Sequence, residues 1–263
     1  MRGSNRKEAV TSVKAKSRTR TVGRAAGPGT GFRQRSPVPS ASRAIAETRT
    51  AKIVDAPADV RPSRNPARRL KQLAEQIRVC TKCPLCGSRT SAVPGEGALQ
   101  ASISQGGSQK AGPGGLMIIG EAPGKDEDKT GHPFVGSAGR YLDHVLEGTG
   151  IQRSDFFITN IVKCRPPNNR TPKGNEIETC ITNYLMEQIE LVDPRLILLL
   201  GSVAVKTLLS KKSVEEARGK VIELKGRNYL ASYHPAARFY REDLKEKIAA
   251  DFALLKRELK KGS

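Results

Sequence analysis

The run LMIIGEAPG, residues 116–124, sets four consecutive apolar residues directly before a turn rich in glycine and proline. Four apolar residues without alternation make a strand buried on both faces, and the glycines and proline behind it end the strand and open a loop. The same grammar recurs downstream. Residues 156–162 read as a strand, with Thr159 and Asn160 behind its apolar run. Residues 196–200, 221–224 and 229–233 read as further strands, the last leading into YHPAA at 233–237. Helical spacing fills the gaps at 138–146, 176–191, 204–209 and 242–259. Such alternation calls for an α/β fold, a three-layer α/β/α sandwich with a mainly parallel central sheet. In an open sheet of this kind ligands sit at the carboxyl ends of the strands. GEAPG, the Thr159–Asn160 pair and YHPAA therefore converge on one edge.

Upstream of the sheet, Leu70, Leu73 and Ile77 carry a helical pattern that begins at Pro66 and runs into Cys80. Residues 98–115 are polar and glycine-rich, the composition of a flexible surface insertion. Residues 1–65 are rich in Arg, Ser, Pro, Gly and Ala without periodicity, which predicts a disordered basic arm ahead of a folded domain at 66–263. An Arg/Ser-rich, acid-poor start is also the composition of an organellar transit peptide, but it lacks a clear amphipathic face.

The 263 residues carry a formal charge of +20, so polyanions, DNA and RNA foremost, are the expected partners. Half of that excess lies in residues 1–50, where 12 Lys and Arg face only Glu8 and Glu47. No apolar run is long enough for a membrane span or a signal peptide, which predicts an intracellular protein that does not enter the membrane. Five cysteines in such a chain argue for metal binding or catalysis rather than a disulfide framework.

Cys80 and Cys83 form a C-x-x-C pair, and Cys164 and Cys180 lie far downstream. Four thiolates suit zinc or an iron–sulfur cluster, and the spacing also admits Cys164 and Cys180 as core residues. Cys86 is a fifth candidate. The segment GEAPGKDEDKTGHPFVG, residues 120–136, combines glycines for close backbone approach with carboxylates that can orient water. It matches neither a P-loop nor a dinucleotide turn. Asn160 carries an amide able to donate and accept at a base edge, and His234 a neutral imidazole able to donate to developing negative charge. Taken singly, each also reads as a cap or a structural residue.

Together the motifs C-x-x-C-P-L, GEAPG..ED..G.PFVG.AG, ITN.VKCRPP.NR.P, Cys180 and HPAA, in order over Leu70 to Leu255, resemble the family 4, iron–sulfur uracil-DNA glycosylases. The resemblance implies a four-stranded parallel sheet and a 4Fe–4S cluster on Cys80, Cys83, Cys164 and Cys180. It also implies a monomer acting on uracil-containing DNA by base flipping, with no covalent lysine intermediate. By the same resemblance Phe134 stacks on the flipped base, Asn160 bonds the uracil O4 and N3 edge, and His234 donates to O2. Gly120, Ala122, Pro123 and Gly124 complete the polar pocket. Glu121 with Asn169 positions the attacking water, and Glu127 sits near uracil C5, where it excludes a thymine methyl. Arg165, Arg170 and Lys173 face the DNA backbone, and Arg238 or Phe239 takes the place of the family's apolar wedge.

Two departures stand out. The water-activating Asp of the family 1 enzymes is replaced by Glu121-Ala122-Pro123, and the wedge position reads Arg238-Phe239-Tyr240. A rival reading is a non-catalytic iron–sulfur protein that only binds nucleic acid. A third, a related glycosylase bonding covalently to uracil, is disfavoured because an ordinary helix with a lone His144 follows Gly139.

Overall fold

The computed structural model describes residues 65–98 and 115–261. The basic arm at 1–64 and the insertion at 99–114 lie outside the described residues.

Helix α1 (Pro66–Arg78) starts where the Asn65 side chain accepts the Arg68 N–H, and Pro66 needs no partner at its first position. A short edge strand β1 (Glu96–Gly97) follows, then the quoted run as β2 (Leu116–Gly120). The acidic part of the next loop forms a helix, α2 (Lys125–Thr130), and PFVG leads into α3 (Ser137–Glu147). Strand β3 (Phe156–Asn160) ends in the TN pair. The long helical pattern divides into α4 (Gly174–Cys180), a π-helical stretch (Ile181–Leu185) and α5 (Met186–Val192). Then come β4 (Leu196–Leu200), α6 (Ser202–Leu209), α7 (Val214–Ala217), β5 (Ile222–Leu224), β6 (Arg227–Ser232) and α8 (Leu244–Lys260).

The sheet order is β1-β3-β2-β4-β6-β5. The four central strands are parallel, as expected, and an antiparallel strand closes each edge, making a mixed six-stranded sheet. Residues 221–224 were legible as a strand, whereas β1, with two residues and no apolar run, was not. Alternate side chains of the buried strands face opposite layers. Met117, Ile119, Ile197 and Leu199 pack with Leu73, Ile77, Leu185 and Ile189 on one face. Leu116, Ile118, Leu196 and Leu198 pack with Leu142, Leu146, Ile248 and Phe252 on the other. Two apolar layers on one sheet are the physical content of the three-layer sandwich.

The parallel register pairs Gly120 with Asn160 and Leu200 with Ser232. The GEAPG loop, the TN pair and the YHPAA segment therefore leave the sheet on the same side.

Candidate active site

A cavity of about 430 Å³ opens at this carboxyl edge. It brings together Glu121, Ala122, Pro123, Gly124, Glu127, Phe134, Asn160, Asn169, Arg170 and His234, all singled out in the sequence. Gly120 lies beneath it, while Arg165, Arg238 and Phe239 stand outside its lining.

The floor depends on glycine. A Cβ on Gly120 would lie 2.5 Å from Asn160 Oδ1 and 2.6 Å from Phe134 Cζ, so only glycine lets the strand end carry both groups. Phe134 itself adopts φ +53°, a left-handed backbone that costs roughly 1–3 kcal/mol in a bulky residue and must be held from outside. Two groups hold it. Arg153 donates from Nη1 to Phe134 O at 3.1 Å, donates from Nη2 to Pro133 O, and is anchored by Asp143 at 2.9 Å. Gly139 accepts the close approach, since a Cβ there would meet Phe134 O at 1.8 Å.

Asn160 is 1% exposed, and its Oδ1 has no hydrogen-bond partner among the described residues. A buried acceptor left open costs about 1–3 kcal/mol, and at a cavity wall it marks a place for a donor from outside. Across the cavity the His234 ring lies 5.8 Å from that of Phe134, inclined by 28°. Its Nδ1 accepts the Ala236 N–H at 3.2 Å, which places the ring proton on Nε2. Burial lowers its pKa to about 4, against the raising influence of the Glu127 charge, so the ring is a neutral donor at physiological pH.

The acids divide their tasks. Glu127 Oε1 accepts the N–H groups of Val135 (2.9 Å) and Gly136 (2.8 Å), and Oε2 that of Gly124 (3.0 Å). One buried carboxylate thus straps the GEAPG loop to the PFVG loop. Asp128 reaches away from the cavity to the N–H groups of Thr90 and Ser91. At Glu121, burial alone holds the carboxyl above the usual carboxylate range.

The loop after β3 carries Asn168 and Asn169 at φ +54° and +55°. Asn169 Oδ1 accepts the Arg165 Nε–H at 2.8 Å. Arg170 turns inward and forks onto the buried Glu176 at 2.9 and 2.7 Å, so its fork locks the loop to α4. On the other rim, Arg238 lies 4.3 Å over the Tyr141 ring, with Phe239 and Tyr240 exposed beside it.

The four cysteines gather within electrostatic reach of one another. Cys164 and Cys180 are buried, Cys80 and Cys83 half-buried, and all are free thiols. Arg89 Nη1 donates to Cys164 Sγ at 3.0 Å and Lys82 N–H to Cys80 Sγ at 3.4 Å. Burial pushes Cys83 and Cys164 up, and Cys180 to about 11. Burial holds the Tyr184 hydroxyl above its usual range, reinforced by its hydrogen bond to Cys80 and by the influence of Cys180 and Cys164. Among the described residues, no three His, Cys, Asp or Glu side chains are grouped so as to hold a single metal ion.

The model of the uracil DNA glycosylase superfamily matches residues 111–259. A type-4 uracil-DNA glycosylase of Pyrobaculum aerophilum is 40% identical over 196 residues, 70% of this chain and 92% of the relative. Another from Sulfurisphaera tokodaii is 41% identical over 193 residues, 70% and 81% of the two chains. One from Archaeoglobus fulgidus is 39% identical over 192 residues, 70% and 89%. This chain belongs to the type-4 uracil-DNA glycosylase family. Membership accounts for the ordered motifs, and the structure shows what several of them do locally: GEAPG and PFVG are halves of one strap closed by Glu127. Sequence reasoning missed two supports of this type-4 site. Arg153 lies in a stretch without a motif, whereas Lys163 interrupts the apolar run Ile161–Val162 just before Cys164, a signal that was there to read.

Proposed function

We propose that the protein excises uracil from DNA, hydrolysing the N-glycosidic bond of a flipped deoxyuridine to leave an abasic site. The unpaired Oδ1 of Asn160, a residue that lines the same cavity as His234 with its Nε2–H, carries this reading. Uracil presents an N3–H donor between two carbonyl acceptors, so Asn160 Oδ1 accepts N3–H while its amide donates to O4. Phe134 supplies the stacking face. As the C1′–N1 bond breaks, its electron pair moves onto the uracil ring and O2, where the His234 Nε2–H donates. Water, oriented by Glu121 with Asn169 beside it, adds to C1′ and gives its proton to the Glu121 carboxylate. Glu127, strapped between the loops, keeps their backbone at the distance a flat pyrimidine requires. Beside uracil C5, its carboxylate leaves no room for a methyl.

Cys80, Cys83, Cys164 and Cys180 are the ligands we assign to a 4Fe–4S cluster. Four cysteines within electrostatic reach of one another, with N–H donors aimed at the sulfurs of Cys80 and Cys164, suit such a cluster. Four cysteines fill its coordination, so its contribution when bound is to brace the loop between Cys164 and Cys180. That loop presents Arg165 to DNA phosphate and Arg170 beside it, while Arg238 and Phe239 take the gap left by the flipped base. No helix among the described residues is long and apolar enough to cross a membrane.

The test is a uracil-containing oligonucleotide incubated with purified protein, treated with alkali and resolved on a gel. Cleavage at the uracil position is expected. Binding without any product would leave the chain a nucleic-acid-binding protein and overturn the reading.

A further inference from the structure

Behind the end of β3 lies a buried lysine that bond cleavage does not use. Lys163 is 1% exposed, and its ammonium donates to Thr159 Oγ1 and to the backbone carbonyl of Asn160, both at 2.7 Å. An ammonium removed from water costs several kcal/mol unless an opposite charge compensates it. Among the described residues Lys163 forms no ion pair with a carboxylate. Burial lowers its pKa to about 7, with Cys180 and Cys164 opposing that shift.

The surroundings make this side chain a junction. The Lys163 carbonyl accepts the Val93 N–H at 2.7 Å. Thr159 Oγ1 donates at 2.9 Å to Pro94 O, which also takes Gln188 Nε2 at 2.8 Å. The segment after Cys80 and Cys83, the helix after Cys180 and the end of β3 are thereby tied at one point. The backbone of Asn160 is fastened from behind while its Oδ1 stays open in front.

We propose that Lys163 is a positioning residue, which holds Asn160 in register to read the base. The inference rests on the uracil pocket proposed above. Its two hydrogen bonds, to Thr159 Oγ1 and to the carbonyl of Asn160, fasten the end of β3. Without them the strand end that carries Asn160 is held only by its sheet neighbours.

Two variants test this in the intact, iron-loaded protein. Lys163→Met removes charge and donor while keeping the bulk. Lys163→Gln restores a donor for Asn160 O without charge. In K163M we expect the absorbance near 400 nm to persist. Uracil excision falls roughly 10- to 100-fold, the consequence of one buried hydrogen-bond system left open. K163Q recovers most of the excision. Unchanged excision in K163M overturns the positioning role. Should K163M not fold, hydrogen exchange in K163Q decides: exchange at the end of β3 faster than in the wild type is expected, because the bond to Thr159 is not restored, and an unchanged rate overturns the role. Amide hydrogen exchange at the end of β3, faster in K163M, reads the fastening without any catalysis. A wild-type protein lacking excision or iron therefore sinks the proposed function and leaves the fastening to that measurement.

Discussion

His234 Nδ1 accepts the backbone N–H of Ala236, two residues further along the same turn, so the chain itself selects the tautomer that points a proton at the cavity. Burial completes the arrangement by lowering the ring pKa to about 4. The ring therefore stays neutral across the range in which an unburied histidine, near 6.5, would titrate. A pH profile of kcat between pH 5 and 8 should show no limb from His234. Glu121, held above the usual carboxylate range by burial, supplies the acid limb instead, and Glu121→Gln should abolish that limb along with most of the rate. His234→Ala should cost about 100- to 1000-fold in kcat, the usual consequence of removing one donor to a developing oxyanion.

The same histidine sets a stability window. Its folded pKa lies below its unfolded value, so on acidification the unfolded chain binds the proton first. Its contribution is present above about pH 6.5 and is lost as pH falls towards 4. Urea midpoints measured across that window should drop less steeply in His234→Asn than in the wild type.

Glu127 offers a test of strap against gatekeeper. Three backbone N–H groups converge on its carboxylate, and a glutamine would present an NH₂ to at least one of them. Glu127→Gln should cost about 2–4 kcal/mol in denaturant unfolding and lower kcat together with substrate affinity. If the residue only guarded uracil C5, Glu127→Ala would admit thymine without loss of stability, an outcome that would dismiss the strap.

The strands were legible because burial on both faces writes itself as uninterrupted apolar runs, as in Leu116–Ile119 and Leu196–Leu200. Helix α2 was not, since Lys125–Thr130 contains no apolar residue, and Glu127 and Asp128 hold it through contacts distant in sequence. The site residues were readable as a set from ordered motifs, but their roles depended on direction. Arg170 reads as DNA-facing by charge, and in the structure its guanidinium also forks onto Glu176. Spacing alone does not say which way an acid or a guanidinium points.

The cysteine site predicts a loss on removal of metal or ligand. Metal-binding energy in the proposed site would also be folding energy, because Cys80 with Cys83, Cys164 and Cys180 come from three separate segments. Cys164→Ala additionally leaves the Arg89 guanidinium without its sulfur partner. The variant should lose the absorbance near 400 nm, melt several degrees lower and bind DNA more weakly as the loop around Arg165 loosens. An unchanged melting temperature would show that the loop needs no brace.

Two glycines on one fold give the sharpest contrast. A methyl at Gly139 would stand 1.8 Å from Phe134 O, and that carbonyl is already fixed by Arg153, so it cannot retreat without moving the Phe134 ring. A methyl at Gly174, the first residue of α4, would meet nothing within 4 Å. Gly139→Ala should therefore lower stability by about 1–3 kcal/mol and weaken uracil binding, whereas Gly174→Ala should stay within about 0.5 kcal/mol of wild type and retain full excision. Thermal melts of the two variants beside product inhibition by free uracil make the comparison, and equal behaviour of the pair would mean that the left-handed Phe134 does not depend on the space Gly139 provides.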